Sequence, residues 1–447
     1  MKTTHPHPVP AFPAELRRLL VQKVRGVVID EKQIREHVIR PRTLEGVFSD
    51  RGPAESPLRF APAPRVVDGR PHRLNVATFA AALDDALMGK VAGFSAQLRK
   101  QGQALFTRDW QWAKAPQDGE ESWTPDVQLH VASVSKLITG MVMTLLLEEK
   151  GISPDAQIID YLPDYWTKGP NVEYIVFRNL LNHTSGLTAQ SIIDFQVMRA
   201  AIAAGISLDP IAPNHLGNYA YTNVDFGLCR VLFAVANGNI DRSFEYKGIG
   251  FFDFGDINDL MWDLVTILSY AQFSQTNVFR PAGVSGATFD HPDAAGLAYT
   301  GPGETGAGWN SGNLQNGAGA FGWHLSVDQL LNVMGEFRRG RGILSPEAAQ
   351  GMLDNGFGVD PFPGTVQSGV PVPAGLRTPA GEIYCKRGNW YDDARAHEEQ
   401  ALAYFLPEDM ELALVVNSPM GDPGGPLLQD VVTQAYLNNL TTQLVNE

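Results

Sequence analysis

The sequence predicts an α+β protein: one antiparallel sheet built from both ends of the chain, flanked by helices, with a mainly helical domain inserted between them. Three observations carry this. A helix-spaced apolar stripe followed by hairpin-like alternation opens the patterned body near Leu74. Three strand-like runs and an amphipathic helix close it, from Ile383 onward. The stretch between them reads as mainly helical.

Residues 1–70 are irregular and rich in Pro and Arg, with one plausible helix around Ala14–Val28. They read as an arm or pre-domain that packs on the body or on a partner subunit, which leaves a homodimer open. The body, residues 71–447, reads as one domain with a sheet part (about 71–130 and 325–447) and a helical part (about 131–324). Val76, Phe79, Ala80, Leu83 and Leu87 fall on one helical face. Phe94, Ala96 and Leu98 alternate as in a strand, Lys100-Gln101-Gly102 reads as a turn, and Ala104 and Phe106 resume the alternation. At the far end Ile383–Cys385, Ala401–Phe405 and Leu412–Val416 read as strands. A helix follows, with Pro426 near its first turn and a buried stripe of Leu428, Val431, Val432, Ala435, Tyr436 and Leu440.

Composition narrows the function. Against 49 acidic residues stand 35 Lys and Arg, a net charge of −14. That excludes a nucleic-acid partner, which needs a basic face, and disfavours anionic lipid. No apolar run approaches the roughly 20 residues of a membrane span. The opening MKTTHPHPVPAFP lacks the apolar core of a secretory signal, so the chain reads as cytoplasmic, or periplasmic if a leader has been removed. Cys229 and Cys385 are too few for a disulfide framework or zinc cluster and read as reduced thiols. The histidines are scattered, with His5 and His7 in a Pro-rich tail, so neither a metal nor a cofactor is expected.

The chemistry concentrates in three segments. His130-Val-Ala-Ser133-Val-Ser-Lys136 leads into the apolar run Leu137–Leu147, which reads as a central helix closed by Gly151. Ser133 falls in its first turn and Lys136, three residues on, shares its face. A serine hydroxyl is a weak nucleophile that needs a neighbouring base. A buried lysine serves if burial and nearby positive charge lower its pKa, and the helix N-terminus favours a developing oxyanion. Ser-x-x-Lys is short, and alone it equally suits a helix-capping serine and a solvated lysine. Burial of the helix counts against a casual lysine there.

Tyr221-Thr222-Asn223 stands where a loop enters a second apolar helix. A tyrosine there shuttles protons if a cation lowers its pKa, and Asn223 offers both a donor and an acceptor to a substrate amide or a lysine. Tyr436-Leu437-Asn438 repeats the pattern on the terminal helix, where core packing explains the tyrosine. Lys386-Arg387-Gly388 follows the strand Ile383–Cys385. Lys386 at a strand edge adds positive potential, Gly388 admits a ligand close to the backbone, and the N–H of Asn389 is a candidate second oxyanion donor opposite that of Ser133.

In this order the three segments resemble the motifs of the serine β-lactamase and penicillin-binding-protein superfamily, most closely its class C β-lactamase-like branch of esterases, D-aminopeptidases and amide hydrolases. Asn182-His-Thr-Ser-Gly-Leu187 is similar to that branch's structural turn, and Gly317–Gly322 with Ser326 and Asp328 to its glycine-rich turn before a helix. The resemblance implies a β-lactamase/transpeptidase-like catalytic domain and a serine hydrolase acting on a small ester or amide. It implies that Ser133 takes the acyl group, that Lys136 and Tyr221 exchange protons, that Asn223 orients the substrate and that Lys386 supports the field. Which of Lys136 and Tyr221 is the base stays open.

Two departures stand out. Arg387 replaces a small hydroxyl residue, which blocks or recharges the place of a β-lactam carboxylate and weighs against efficient β-lactam hydrolysis. Gly238–Leu268, with Phe251, Phe252, Phe254 and Trp262, reads as an insertion, either an aromatic lid or a self-packed surface loop. Asp392, Asp393, Glu398 and Glu399 read as a solvated hairpin tip, or as a site rim that attracts amine-bearing substrates. The enzyme rival is an acyltransferase with the same acyl-enzyme; the non-enzyme rival is an acyl-binding sensor on the same fold. A Ser-His-Asp hydrolase lacks its G-x-S-x-G elbow, since Gly283-Val-Ser-Gly-Ala287 misses at the last position.

Overall fold

The computed structural model describes residues 72–188, 194–245, 255–303, 305–362, 374–420 and 427–442. The expected arm with its helix at Ala14–Val28, Pro426, and the aromatic residues Phe251, Phe252 and Phe254 lie outside these.

In chain order the strands are β1 (His72–Leu74), β2 (Gly93–Lys100), β3 (Gln103–Lys114), β4 (Glu121–Ser122), β5 (Leu129–His130), β6 (His324–Leu325), β7 (Leu376–Thr378), β8 (Gly381–Tyr391), β9 (Glu398–Leu406), β10 (Met410–Val416) and β11 (Leu440–Thr442). The α-helices are α1 (Val76–Leu87), α2 (Ser135–Lys150), α3 (Phe177–Leu181), α4 (Phe195–Ala204), α5 (Asn223–Ala236), α6 (Gly255–Ser274), α7 (Val327–Arg339), α8 (Pro346–Asp354) and α9 (Leu428–Asn438).

Seven strands form one sheet in the order β4-β3-β2-β10-β9-β8-β7, antiparallel throughout. The two chain ends meet at its centre, where β2 pairs with β10 from Phe94↔Val416 to Lys100↔Met410. The β2–β3 hairpin turns through Gln101 and Gly102, both at positive φ (51° and 81°), the backbone that matches strand twist. One sheet face carries Phe94, Leu98, Leu402, Tyr404, Leu412 and Leu414 and is covered by α1 and α9 through Phe79, Leu83, Leu428, Val432 and Tyr436. The opposite face presents Ala401, Ala403, Phe405, Ala413 and Val415 to the helical body, where small side chains let helices approach closely.

At the centre of that body lies α2, every residue buried from Ser135 to Leu147, ended by Gly151 in the left-handed conformation (φ 63°). A helix apolar all round must be enclosed on all sides, and α5, α6 and α8 supply the enclosure.

Two expectations change. The terminal helix stops at Asn438, so Leu440 is not on its stripe; it opens β11 and pairs with Leu74, while Asn75 N–H donates to Asn439 O. Val431 is only half-buried. In the Gly238–Leu268 stretch, residues from Asn258 onward belong to α6 in the core, neither lid nor surface loop. Trp262 is fully buried and its indole N–H donates to Phe244 O at 3.1 Å.

Candidate active site

The nucleophile candidate sits on a strained turn. β5 pairs with β6, Val131 N–H donates to Trp323 O, and Ala132 then adopts φ 47° before a single 3₁₀ turn, Ala132–Val134, feeds into α2. A left-handed alanine costs about 1 kcal/mol or more and persists where its surroundings fix it. Here β8 fixes it. A Cβ on Gly388 would lie 2.3 Å from Val131 O and 2.8 Å from Ser133 N, so only glycine lets the strand press against the turn. Gly388 was expected to admit a ligand; the backbone it admits is that of the serine turn.

Three expected residues converge on one point. Ser133 Oγ lies 2.6 Å from Tyr221 Oη. Lys136 Nζ donates to Ser133 Oγ (3.0 Å), Asn223 Oδ1 (2.7 Å) and Ala320 O (2.8 Å). Three ammonium protons thus meet three acceptors, which satisfies a charged group with no exposure to solvent. Burial lowers the Lys136 pKa, Tyr221 raises it and Lys386 lowers it further, for a net fall. Tyr221 stands at the N-terminus of α5, where Thr222 caps Val224 N–H. Burial would raise its phenol, but the nearby charges of Lys136 and Lys386 outweigh that and bring it below the ordinary tyrosine value. The ammonium nitrogens lie 4.9 Å (Lys136) and 5.1 Å (Lys386) from the Tyr221 ring centroid.

The Asn182–Leu187 turn buttresses the tyrosine. The His183 ring centroid is 4.5 Å from that of Tyr221, and buried Asp225 of α5 takes Ser185 Oγ–H (2.6 Å) and lies 3.1 Å from His183 Nδ1. The glycine-rich turn Gly317–Gly322 supplies Ala320 O to Lys136 and Gly319 O to the Thr139 hydroxyl.

Lys386, Arg387 and Gly388 do not follow a strand; they lie inside β8, which continues to Tyr391. Lys386 is buried and ion-paired to Asp360, a residue outside every motif, so it is not the free edge cation expected. Arg387 pairs with Leu402 of β9, whereas Lys386 pairs with Ala403 on the helical side. Strand alternation therefore sends the guanidinium to the sheet face away from Ser133. It nonetheless lines the same cleft as Ser133. The N–H of Asn389 leaves β8 on the same edge as that of Arg387, which donates to Asp360 Oδ2 at 2.9 Å. The Asn389 side chain turns away and donates to Glu398 Oε1 (2.6 Å).

A cleft of about 770 Å³ opens over Ser133, walled by Tyr219, Phe321, Phe362, Trp390 and Tyr391, with Asp392 and Asp393 at its rim. Glu398 and Glu399 are not part of a solvated tip, because β9 already begins at Glu398 and both are buried. Glu399 Oε2 lies 3.1 Å from His130 Nδ1, and Gly322 N–H donates to Nε2 of the same ring. Burial holds His130 down at about 3 and, against the lowering effects of Ser311 and His291, pushes Glu399 up to about 8, which favours a neutral pair with His130 Nδ1–H as donor. Asp360 was not singled out from the sequence, and His130 and Glu399, though in segments that were, were not read as buried partners of each other. Among the described residues no three His, Cys, Asp or Glu side chains are grouped to hold a metal ion, and no helix is long and apolar enough to cross a membrane.

This sheet, with a helical body against one face and a serine, lysine and tyrosine meeting at a buried helix start, is the fold of the serine β-lactamases and penicillin-binding proteins. Residues 77–245 match the family model described as Beta-lactamase, in agreement with the superfamily that the motifs indicate. The matched span contains Ser133, Lys136, Tyr221 and Asn223. Among solved structures the chain is similar to a class C β-lactamase from Rhodobacter sphaeroides (18% identity, 81% of this chain and 98% of that one, TM-score 0.54). It is similar to FmtA from Staphylococcus aureus (13%, 86% and 96%, 0.56) and to a D-stereospecific amidohydrolase from Streptomyces sp. (18%, 81% and 98%, 0.52). A search of the curated proteins finds no match.

Proposed function

We propose that the protein is a serine hydrolase that cleaves a small ester or amide through an acyl-enzyme on Ser133. The observation that carries this is the mutual reach of Ser133 Oγ, Tyr221 Oη and Lys136 Nζ, at 2.6 and 3.0 Å, beneath an open cleft. With the Lys136 protons committed to three acceptors, the phenol oxygen is the nearest site for the serine proton. Tyr221, as the phenolate that the nearby ammonium groups favour, accepts it as Oγ forms a bond to the substrate carbonyl carbon. The resulting oxyanion is held by the N–H groups of Ser133 and Asn389. As the carbonyl re-forms, the bond to the alcohol or amine breaks and that group leaves with the tyrosine's proton. Water then gives a proton to Tyr221, attacks the acyl carbon and frees the acid, with the serine reprotonated.

The aromatic walls suit an apolar acyl or leaving group. Intact-mass measurement after exposure to chromogenic esters, amides and a β-lactam tests the reading. An acyl adduct that turns over, with both adduct and hydrolysis reduced by about 10³-fold or more in Ser133→Ala, is expected. Unchanged hydrolysis in that variant refutes it.

A further inference from the structure

Asp360 lies in the segment between α8 and β7, apart from every recognised motif, yet it grips three alternate features of β8. Its N–H donates to Cys385 O (2.8 Å), its Oδ1 takes the Lys386 ammonium, and its Oδ2 accepts the Arg387 N–H (2.9 Å). Asp360 and Lys386 are both buried, at 4% and 1% exposure, so solvent screens this pair little. The grip ends two residues before Asn389, whose N–H leaves β8 on the same edge as that of Arg387.

We propose that Asp360 is a positioning residue for the reaction: it seats the Lys386 ammonium and the β8 edge, and its charge offsets that of Lys386 at the Ser133–Lys136–Tyr221 cluster. The inference rests on the reading of Ser133 as nucleophile. Its electrostatic half follows from placement. Lys386 approaches the Tyr221 ring from β8 with Asp360 bonded to it, so the cluster feels two opposed charges held together. At Tyr221 and Lys136 alike, Lys386 favours the deprotonated form and Asp360 opposes it. The other groups facing the phenol are Ser133 and Lys136 from the serine turn and α2, Tyr219 from its own loop, and His183 with Asp225 behind it. Burial lowers His183 and raises Asp225, in each case against the charged form, while the Ser185 hydroxyl and Lys136 pull Asp225 back down.

The test is the acid limb of kcat/KM against pH for an ester that the enzyme turns over. Asp360→Asn removes the opposing charge and is expected to move the limb down by about one pH unit; Lys386→Met is expected to move it up by a similar amount. The double variant, with neither charge, is expected to return near the wild-type position. Asp360→Glu keeps the charge on a longer arm; an unmoved limb with kcat lowered about tenfold is expected. An unmoved limb in Asp360→Asn, a shift in the same direction as Lys386→Met, or an Asp360→Glu limb displaced to the Asn position overturns the inference. Activity surviving Ser133→Ala overturns the nucleophile reading beneath it. Activity lost in Ser133→Ala with an unmoved limb in Asp360→Asn overturns only the role of Asp360.

Discussion

Glu399→Gln isolates a buried acid that sits directly behind the serine turn. Its carboxyl is raised from 4.5 to about 8 by burial, and it has no solvent exposure. Between those values the folded protein holds a proton that the unfolded chain has released, so stability falls as pH rises. The favourable contribution is complete below pH 4.5, declines through neutrality and is gone above about 8. A displacement of about 3.5 units, at about 1.4 kcal/mol each, corresponds to a loss on the order of 3–5 kcal/mol. His130 contributes with the opposite sign: held at about 3 against 6.5 when unfolded, it adds stability as pH rises between those values. It is present in both proteins and cancels in the difference. Glutamine has the size of the protonated acid and still accepts the His130 Nδ1–H. Urea unfolding of wild type and variant at pH 5, 6, 7, 8 and 9 is expected to show near-equal stability at pH 5. The gap is expected to widen in favour of glutamine by several kcal/mol and to level off above pH 8. A gap that does not change with pH, or a variant less stable than wild type at pH 8, refutes the neutral pair and means that Glu399 is ionised against a charged His130.

The remaining predictions concern the cleft and the core. Gly388→Ala forces a Cβ to within 2.3 Å of Val131 O, so the serine turn shifts and kcat/KM is expected to fall about 100-fold on an ester substrate; a change of less than threefold contradicts the strand-to-turn contact. Tyr221→Phe removes only the hydroxyl that reaches Ser133, and is expected to lower kcat about 10³-fold with Tm held within about 2 °C, measured by kinetics and thermal unfolding. Trp262→Ala empties a fully buried site in α6 and is expected to cost about 3–5 kcal/mol in urea unfolding while the folded fraction keeps its specific activity. Unchanged stability with altered KM in that variant restores the lid reading.

The sequence exposed the parts of this protein whose pattern is local. The α1 stripe, the β2–β3 hairpin with its Gln101-Gly102 turn, and the buried run of α2 each declare themselves within about a dozen residues, because helical and strand periodicities are properties of neighbours. Ser133 and Lys136 are legible for the same reason, being three apart at a helix start. Tyr221 was separable from the similar Tyr436 only by the loop before its helix. The fate of Lys386 was not legible. Its partner Asp360 is 26 residues away in a segment without periodicity, and an ion pair across that distance leaves no mark on either neighbourhood. Glu399 misled for a related reason: a run of acidic residues after a motif looks solvated, but β9 starts inside it, and alternation turns Glu399 inward against a histidine from β5. Trp262 was misplaced because it borders an aromatic-rich stretch, while its own surroundings follow helical spacing.

A further feature hidden from the sequence is close contact between main chains. Gly358 lies where a Cβ would meet Lys136 O at 2.5 Å, Gly319 where it would meet Phe226 O at 2.4 Å, and Gly388 where it would meet Val131 O at 2.3 Å. These three glycines come from the segment after α8, the turn before β6, and β8. They bring those pieces of backbone against the serine turn, the start of α2 and α5, which carry Ser133, Lys136 and Asn223 respectively. A side chain at any of the three would push its segment outward by an ångström or more, the scale on which a 2.6–3.0 Å hydrogen-bond network fails. The cluster's geometry is therefore set as much by residues that have no side chain as by those that supply the chemistry. Glycine-to-alanine changes at these positions should impair catalysis without touching a single polar group of the site.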